Sequence, residues 1–179
     1  GGHDAVFLCE IALPARAVLT NHFGGVDCHP DITQLRCLPS DVELIVAGFP
    51  CQDLSQAGMT AGITGERSGL VRHVFRLLDN RPVPWIVLEN VPFMLHLGGG
   101  KALRVIAEAL EERGYRWAYR VVNSLAFVPQ RRERVFLVAT TTDVDPAGVL
   151  LADERVPPKN TTTLDGYAHG FYWTEGTRG

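Results

Sequence analysis

Short apolar runs alternate along the chain with stretches in which apolar residues recur every three or four positions. That alternation predicts an α/β fold with a mostly parallel sheet. Ala5 to Cys9 reads as a short buried strand ending at Glu10, and Ala12 to Phe23 as a helix with Leu13, Ala17 and Leu19 on its core side. Glu43 to Ala47 is a second buried strand, broken at once by Gly48-Phe49-Pro50. The glycine-containing stretch 58–69 reads as a mobile loop, followed by a helix over Leu70 to Leu78. A third buried strand, Trp85 to Leu88, runs into Glu89, and an amphipathic helix over Ala102 to Arg113 is closed by Gly114. Trp117 to Val122 and Val135 to Thr140 are further strands. Their connection is too short for a helical crossover, which fits an antiparallel pair. From Thr141 the pattern dissolves into Asp, Pro, Gly and Thr, and irregular structure is expected.

Ligands of open parallel sheets bind at the carboxyl ends of the strands. Glu10, the segment 48–52 and Glu89-Asn90 all fall at such ends, so this reading brings three polar groups to one sheet edge.

The composition narrows the class. A chain of 179 residues, 46% hydrophobic and 21% charged, fits one globular domain. No apolar run reaches the length of a membrane span, and the first residues lack the basic and apolar regions of a secretory signal. Four cysteines, Cys9, Cys28, Cys37 and Cys51, form no disulfide framework, and reduced thiols in a cytoplasm are expected. The net charge is −3, and Arg131, Arg132 and Arg134 form the one dense basic cluster. A protein that grips duplex nucleic acid unaided usually presents a basic surface. The main grip on any duplex is therefore expected outside this segment.

Three strings carry chemistry. In Gly48-Phe49-Pro50-Cys51-Gln52-Asp53-Leu54-Ser55 a cysteine follows a buried strand and a proline turn. A lone cysteine is as a rule a core residue, but this one is positioned as a nucleophile would be, and a thiolate is the reactive form. In Glu89-Asn90-Val91-Pro92 a carboxylate ends an apolar strand, where burial would let it hold or share a proton. In Gln130-Arg131-Arg132-Glu133-Arg134 strand alternation would send Arg132 and Arg134 to one face, suited to an oxygen anion, a carbonyl or a phosphate.

In this order the strings GFPCQDLS, ENV and QRRER resemble the cytosine-C5 DNA methyltransferase family, over about Val6 to Thr140. The resemblance implies a Rossmann-like class I S-adenosylmethionine-dependent methyltransferase sheet. It also implies methyl transfer from that cofactor to C5 of a cytosine flipped out of double-stranded DNA. Cys51 would add to C6, Glu89 would hold N3 and the exocyclic amine, Arg134 would bind O2, and Arg132 would support Cys51. Glu10 and Ile11 match the residues that hold the cofactor ribose and adenine, and Asp31-Ile32-Thr33 the segment against the adenine. Pro50 and the Arg67-Ser68-Gly69-Leu70 stretch would also border the cofactor. Gln52, Ser55, Asn90 and Gln130 would face DNA.

The chain also departs from the family pattern. The glycine-rich first motif is absent, so the sheet is expected to be incomplete at the N-terminus. Residues 1–140 read as a partial catalytic domain, and 141–179 as an irregular segment leading into a truncated target-recognition region. The family's final asparagine-bearing motif is absent too, and Phe127-Val128-Pro129 stands where a glycine is usual before Gln130. A missing N-terminal segment or a complementary chain is one implication. A non-catalytic fragment or split subunit that binds DNA or a partner is the alternative. Cys28, His29 and Cys37 match no common zinc spacing, and Gly98-Gly99-Gly100-Lys101 lacks the ending of a phosphate loop. No histidine has an evident pairing with Cys51, which sets a thiol hydrolase aside. His169, Phe171, Tyr172 and Trp173 read as core residues of a truncated lobe sooner than as base-stacking groups.

Overall fold

The structure, a computed structural model, describes residues 2–50 and 69–151. Its strands are β1 (Leu8–Cys9), β2 (Cys28–His29), β3 (Leu44–Gly48), β4 (Trp85–Asn90), β5 (Arg116–Asn123) and β6 (Glu133–Thr140). Its α-helices are α1 (Leu13–His22), α2 (Leu70–Asn80), α3 (Lys101–Glu111) and α4 (Pro146–Leu151). β1 and β2 pair in parallel as a two-stranded sheet, and the other four strands form a second sheet in the order β3-β4-β6-β5. β3 and β4 are parallel, while β6 runs antiparallel to both β4 and β5, as the short β5–β6 connection predicted.

The main sheet has two unlike faces. Ile86 and Leu88 of β4, Val135 and Leu137 of β6 and Trp117 of β5 face the core built with α2 and α3, whose Phe75, Leu78, Ile106 and Leu110 are almost fully buried. α3 ends where expected: Gly114 takes φ +77°, and the Tyr115 N–H returns to the Leu110 carbonyl at 3.0 Å. The other face is covered at β5 and β6 by α4, where Arg120 donates to the Leu150 carbonyl at 2.6 Å. At β3 none of the described residues covers that face, and Val46 is 69% exposed.

Several expectations fail. The main sheet joins one parallel pair and two antiparallel pairs instead of being mostly parallel. The strand expected to be buried over Ala5 to Cys9 forms only at Leu8–Cys9, with Cys9 exposed, and β3 is half-buried to exposed instead of buried. α1 forms, but it buries none of its residues, and Leu13 is 73% exposed. The apolar spacing marks a helix face; among the described residues β2 lies beside the helix and Leu19 is half-buried, while Leu13 and Ala17 stay exposed. The stretch after Thr140 is not irregular throughout, because α4 closes over the sheet with Pro146 and Ala147 buried. Asp145 accepts from the Ala147 N–H at 2.9 Å, so Asp-Pro is an N-terminal cap followed by proline in the first turn. The supposed loop 58–69, except Gly69, and the aromatic cluster near Trp173 lie outside the described residues.

β4 is anchored at its start by Tyr115, whose hydroxyl donates to the Val83 carbonyl at 2.6 Å and accepts from the Val83 N–H at 3.3 Å. Burial pushes the Tyr115 hydroxyl above the usual tyrosine range, so it stays protonated and able to donate. Tyr115→Phe keeps the ring and strips both partners from a buried backbone. Thermal melting should register a loss of about 1–3 kcal/mol, a drop of several degrees; an unchanged melting temperature would show that the pair holds nothing.

Candidate active site

Strand pleating decides what β4 presents at its carboxyl end. Ile86, Leu88 and Asn90 share the core face, and Val87 and Glu89 the opposite one. Glu89 pairs in register with Gly48 on β3 and with Phe136 on β6. Arg134, two residues before Phe136, is its diagonal neighbour on the same face, within side-chain reach. The Arg134 Nε lies 2.7 Å from Glu89 Oε1. The other carboxylate oxygen lies over Gly48, where a β-carbon would meet it at 3.2 Å.

Among the described residues no apolar pocket encloses Glu89. About a third of its side chain is exposed, and a guanidinium is its partner. Among the described residues none covers that face at β3, and the carboxylate stays in contact with water. Arg132 does not join Arg134 at Glu89. It precedes β6, is exposed, and its carbonyl accepts from the Ser124 N–H at 2.9 Å. Arg131 approaches Glu133 at 4.0 Å. Gln130 is exposed in the same loop, and its carbonyl accepts from the Ser124 hydroxyl.

Asn90 departs from its expected place. It is 4% exposed, and its amide donates to the Phe49 carbonyl at 2.9 Å, so it is turned into the protein instead of toward DNA. A single polar residue closing the apolar row Ile86, Leu88, Asn90 was the available signal. Gly48 was read only as a strand breaker; its register opposite Glu89 shows why a side chain there would crowd the carboxylate. Cys51, Gln52, Ser55, Arg67 and Ser68 lie outside the described residues. Pro50 and Leu70, at the two borders of that stretch, are exposed.

The remaining expected residues cluster at the ends of β1 and β2. The Glu10 carboxylate accepts from the Ala12 N–H at 2.7 Å at the start of α1, and Ile11 beside it is 72% exposed. Asp31 accepts from the Thr33 N–H at 2.8 Å and from the Gln34 amide at 3.2 Å. The Thr33 backbone N–H, chief among these donors, holds the Asp31 carboxyl below the usual carboxylate range. Arg76 of α2, which sequence reasoning missed, donates to the Ile32 carbonyl at 3.0 Å and ties this segment to the main core. A carboxylate and a bare apolar side chain, side by side at a strand end, fit a ribose diol and an adenine face. Among the described residues no group of three or more His, Cys, Asp or Glu side chains could hold a metal ion. No described helix is long and apolar enough to cross a membrane.

The family model for C-5 cytosine-specific DNA methylases matches residues 2–177. The chain belongs to that family. It is 47% identical over 188 aligned residues to type II methyltransferase M2.BsuMI of Bacillus subtilis, covering 99% of this chain and 48% of that protein. It is 34% identical to type II methyltransferase M.MspI of Moraxella sp, covering 77% of this chain and 34% of the relative. The chain therefore spans about half the length, or less, of these relatives. Among solved structures, Dnmt2 methyltransferase of S. pombe superposes with a TM-score of 0.63 at 21% identity, over 84% of this chain and 48% of that one. DNMT2 of Spodoptera frugiperda gives 0.62 at 20%, over 80% and 44%. At these identities the likeness shows the fold, that of class I S-adenosylmethionine-dependent methyltransferases.

Proposed function

We propose that this C-5 cytosine methylase chain transfers a methyl group to C5 of a flipped-out cytosine in double-stranded DNA. The observation that carries the reading is the Glu89–Arg134 pair at the end of β4. Cytosine presents along one edge an amine donor, the N3 nitrogen and the O2 acceptor. A carboxylate beside a guanidinium complements that edge once N3 shares a proton. Cys51, two residues beyond the Phe49 carbonyl that Asn90 holds, supplies the thiolate. Its addition to C6 forms the S–C6 bond and pushes electrons to C5, which becomes enamine-like. Glu89 then holds N3 and the amine, and Arg134 takes O2. S-adenosylmethionine, when bound, supplies the electrophilic methyl group. Loss of the C5 proton breaks the S–C6 bond and returns Cys51. A base inside a duplex is out of reach of such a site, so the cytosine must leave the stack. Glu10 and Ile11 would hold the cofactor ribose and adenine, Asp31 and Ile32 would support the adenine, and Pro50 and Leu70 would border it. Arg132, Gln52, Ser55 and Gln130 would lie toward Cys51 and the DNA backbone. The relatives are named type II methyltransferases, which favours a cytoplasmic restriction–modification setting. Because Glu89 acts as charge develops on the ring, Glu89→Gln should lower turnover on the order of a hundredfold and change DNA affinity little. Kinetics beside equilibrium binding decide this; a loss confined to binding would make Glu89 a docking residue.

We also propose that activity needs a further strand beside β3. Among the described residues β3 bonds to β4 alone, Val46 stands bare, and β1–β2 forms a separate sheet. An open edge of this kind invites pairing. A strand followed by a helix, from the same polypeptide or another chain, would join the sheets and cover α1 and Val46. The 179-residue chain alone should transfer methyl groups to DNA weakly and should gain activity when a segment carrying the family's first motif is added in trans. Robust transfer by the purified, monomeric chain alone would contradict this.

A further inference from the structure

Asn90 is the polar residue that the reading above leaves without a role, and its surroundings are unusual. It lies on the core face of β4, opposite Val135, itself 0% exposed. Both polar ends of its side chain are engaged: the amide donates to the Phe49 carbonyl at 2.9 Å, and the carbonyl oxygen accepts from the Val91 N–H at 2.8 Å. The β3–β4 register ends with Gly48 opposite Glu89. The Asn90 amide therefore continues the ladder by one step, with a side chain in place of a backbone N–H.

Phe49 is held twice, by its ring in the core and by its carbonyl on Asn90. That carbonyl belongs to the planar peptide joining Phe49 to Pro50. Pro50 has no N–H, and its φ is nearly fixed. Orienting this one peptide thus constrains the direction in which the chain leaves β3 toward Cys51. On the opposite face the same junction places Glu89, whose second carboxylate oxygen lies 3.2 Å from where a β-carbon on Gly48 would stand, so a side chain there would press on it. Glu89 and Asn90 are adjacent residues of one strand, so whatever tilts the end of β4 moves both.

We propose that Asn90 and Gly48 are positioning residues of the methyl-transfer reaction. Asn90 sets the exit of the nucleophile segment through the Phe49 carbonyl, and Gly48 sets the seat of the Glu89 carboxylate, so that the two reacting partners of the base keep a fixed separation. This rests on the functional reading given above. A misplacement of about 1 Å can cost on the order of a hundredfold in rate.

The test uses the intact enzyme that carries this chain, with Asn90→Ala and Gly48→Ala beside the parent. Four quantities are measured: the rate of covalent adduct formation on 5-fluorocytosine DNA, the dissociation constants for DNA and for S-adenosylmethionine, and the melting temperature. Adduct formation should slow at least tenfold in both variants, with both dissociation constants within about threefold of the parent. A merely structural role would lower binding and folded fraction together with the rate. Gly48 is exposed, so Gly48→Ala should leave the melting temperature unchanged and keeps the test decisive if Asn90→Ala unfolds. Parental adduct rates in the folded variants would overturn the proposal. Absence of adduct in the parent enzyme would overturn the functional reading instead.

Discussion

β4 is hydrogen-bonded on both edges, to β3 in parallel and to β6 antiparallel, and its pleat therefore has no freedom to slip. Everything at the candidate site follows from that constraint. A shift of one residue would turn Glu89 into the core and Asn90 out to water. In the observed register the strand sends a carboxylate to the open face and an amide to the closed one, at successive positions. The carboxylate meets Arg134, which the antiparallel strand delivers diagonally, and the amide meets the backbone just before Cys51.

The two contacts differ in kind. The Glu89–Arg134 pair is partly open to water, where such pairs add on the order of 1 kcal/mol or less to stability. It contributes little to holding the fold and leaves both charged groups available to an incoming polar edge. The Asn90 bond is buried, and removing its donor would strand a carbonyl without water at a cost of about 1–3 kcal/mol. The ion pair can thus exchange partners while the buried bond cannot, an economical division between a recognising face and a supporting one.

Much of this was legible in the residues. The strands from β3 to β6 were found from their apolar runs, and their ends gave the sheet edge at which Gly48 and Glu89 lie, while Glu10 follows β1 in the separate two-stranded sheet. What was missed has physical causes. The apolar spacing of α1 identifies a face that prefers burial and says nothing about whether a partner covers it; Leu13 stays exposed. α4 was hidden by a Thr, Asp, Pro and Gly composition whose Asp145-Pro146 pair was itself the helix signal. Asn90 was assigned to DNA by the family resemblance, although its parity with Ile86 and Leu88 placed it inward. Arg76 could not be assigned from sequence, since its bond to the Ile32 carbonyl spans 44 residues.

The central claim is that the end of β4 holds a cytosine for attack by Cys51. Fluorine at C5 cannot leave as the proton does, so the S–C6 bond should persist once the methyl group has been transferred. The intact enzyme, incubated with S-adenosylmethionine and duplex DNA carrying 5-fluorocytosine at the target position, should yield a denaturant-resistant complex. Peptide mapping should place the link at Cys51, and Cys51→Ser should abolish it. An adduct of undiminished yield in Cys51→Ser, or one mapped to another residue, would contradict the account.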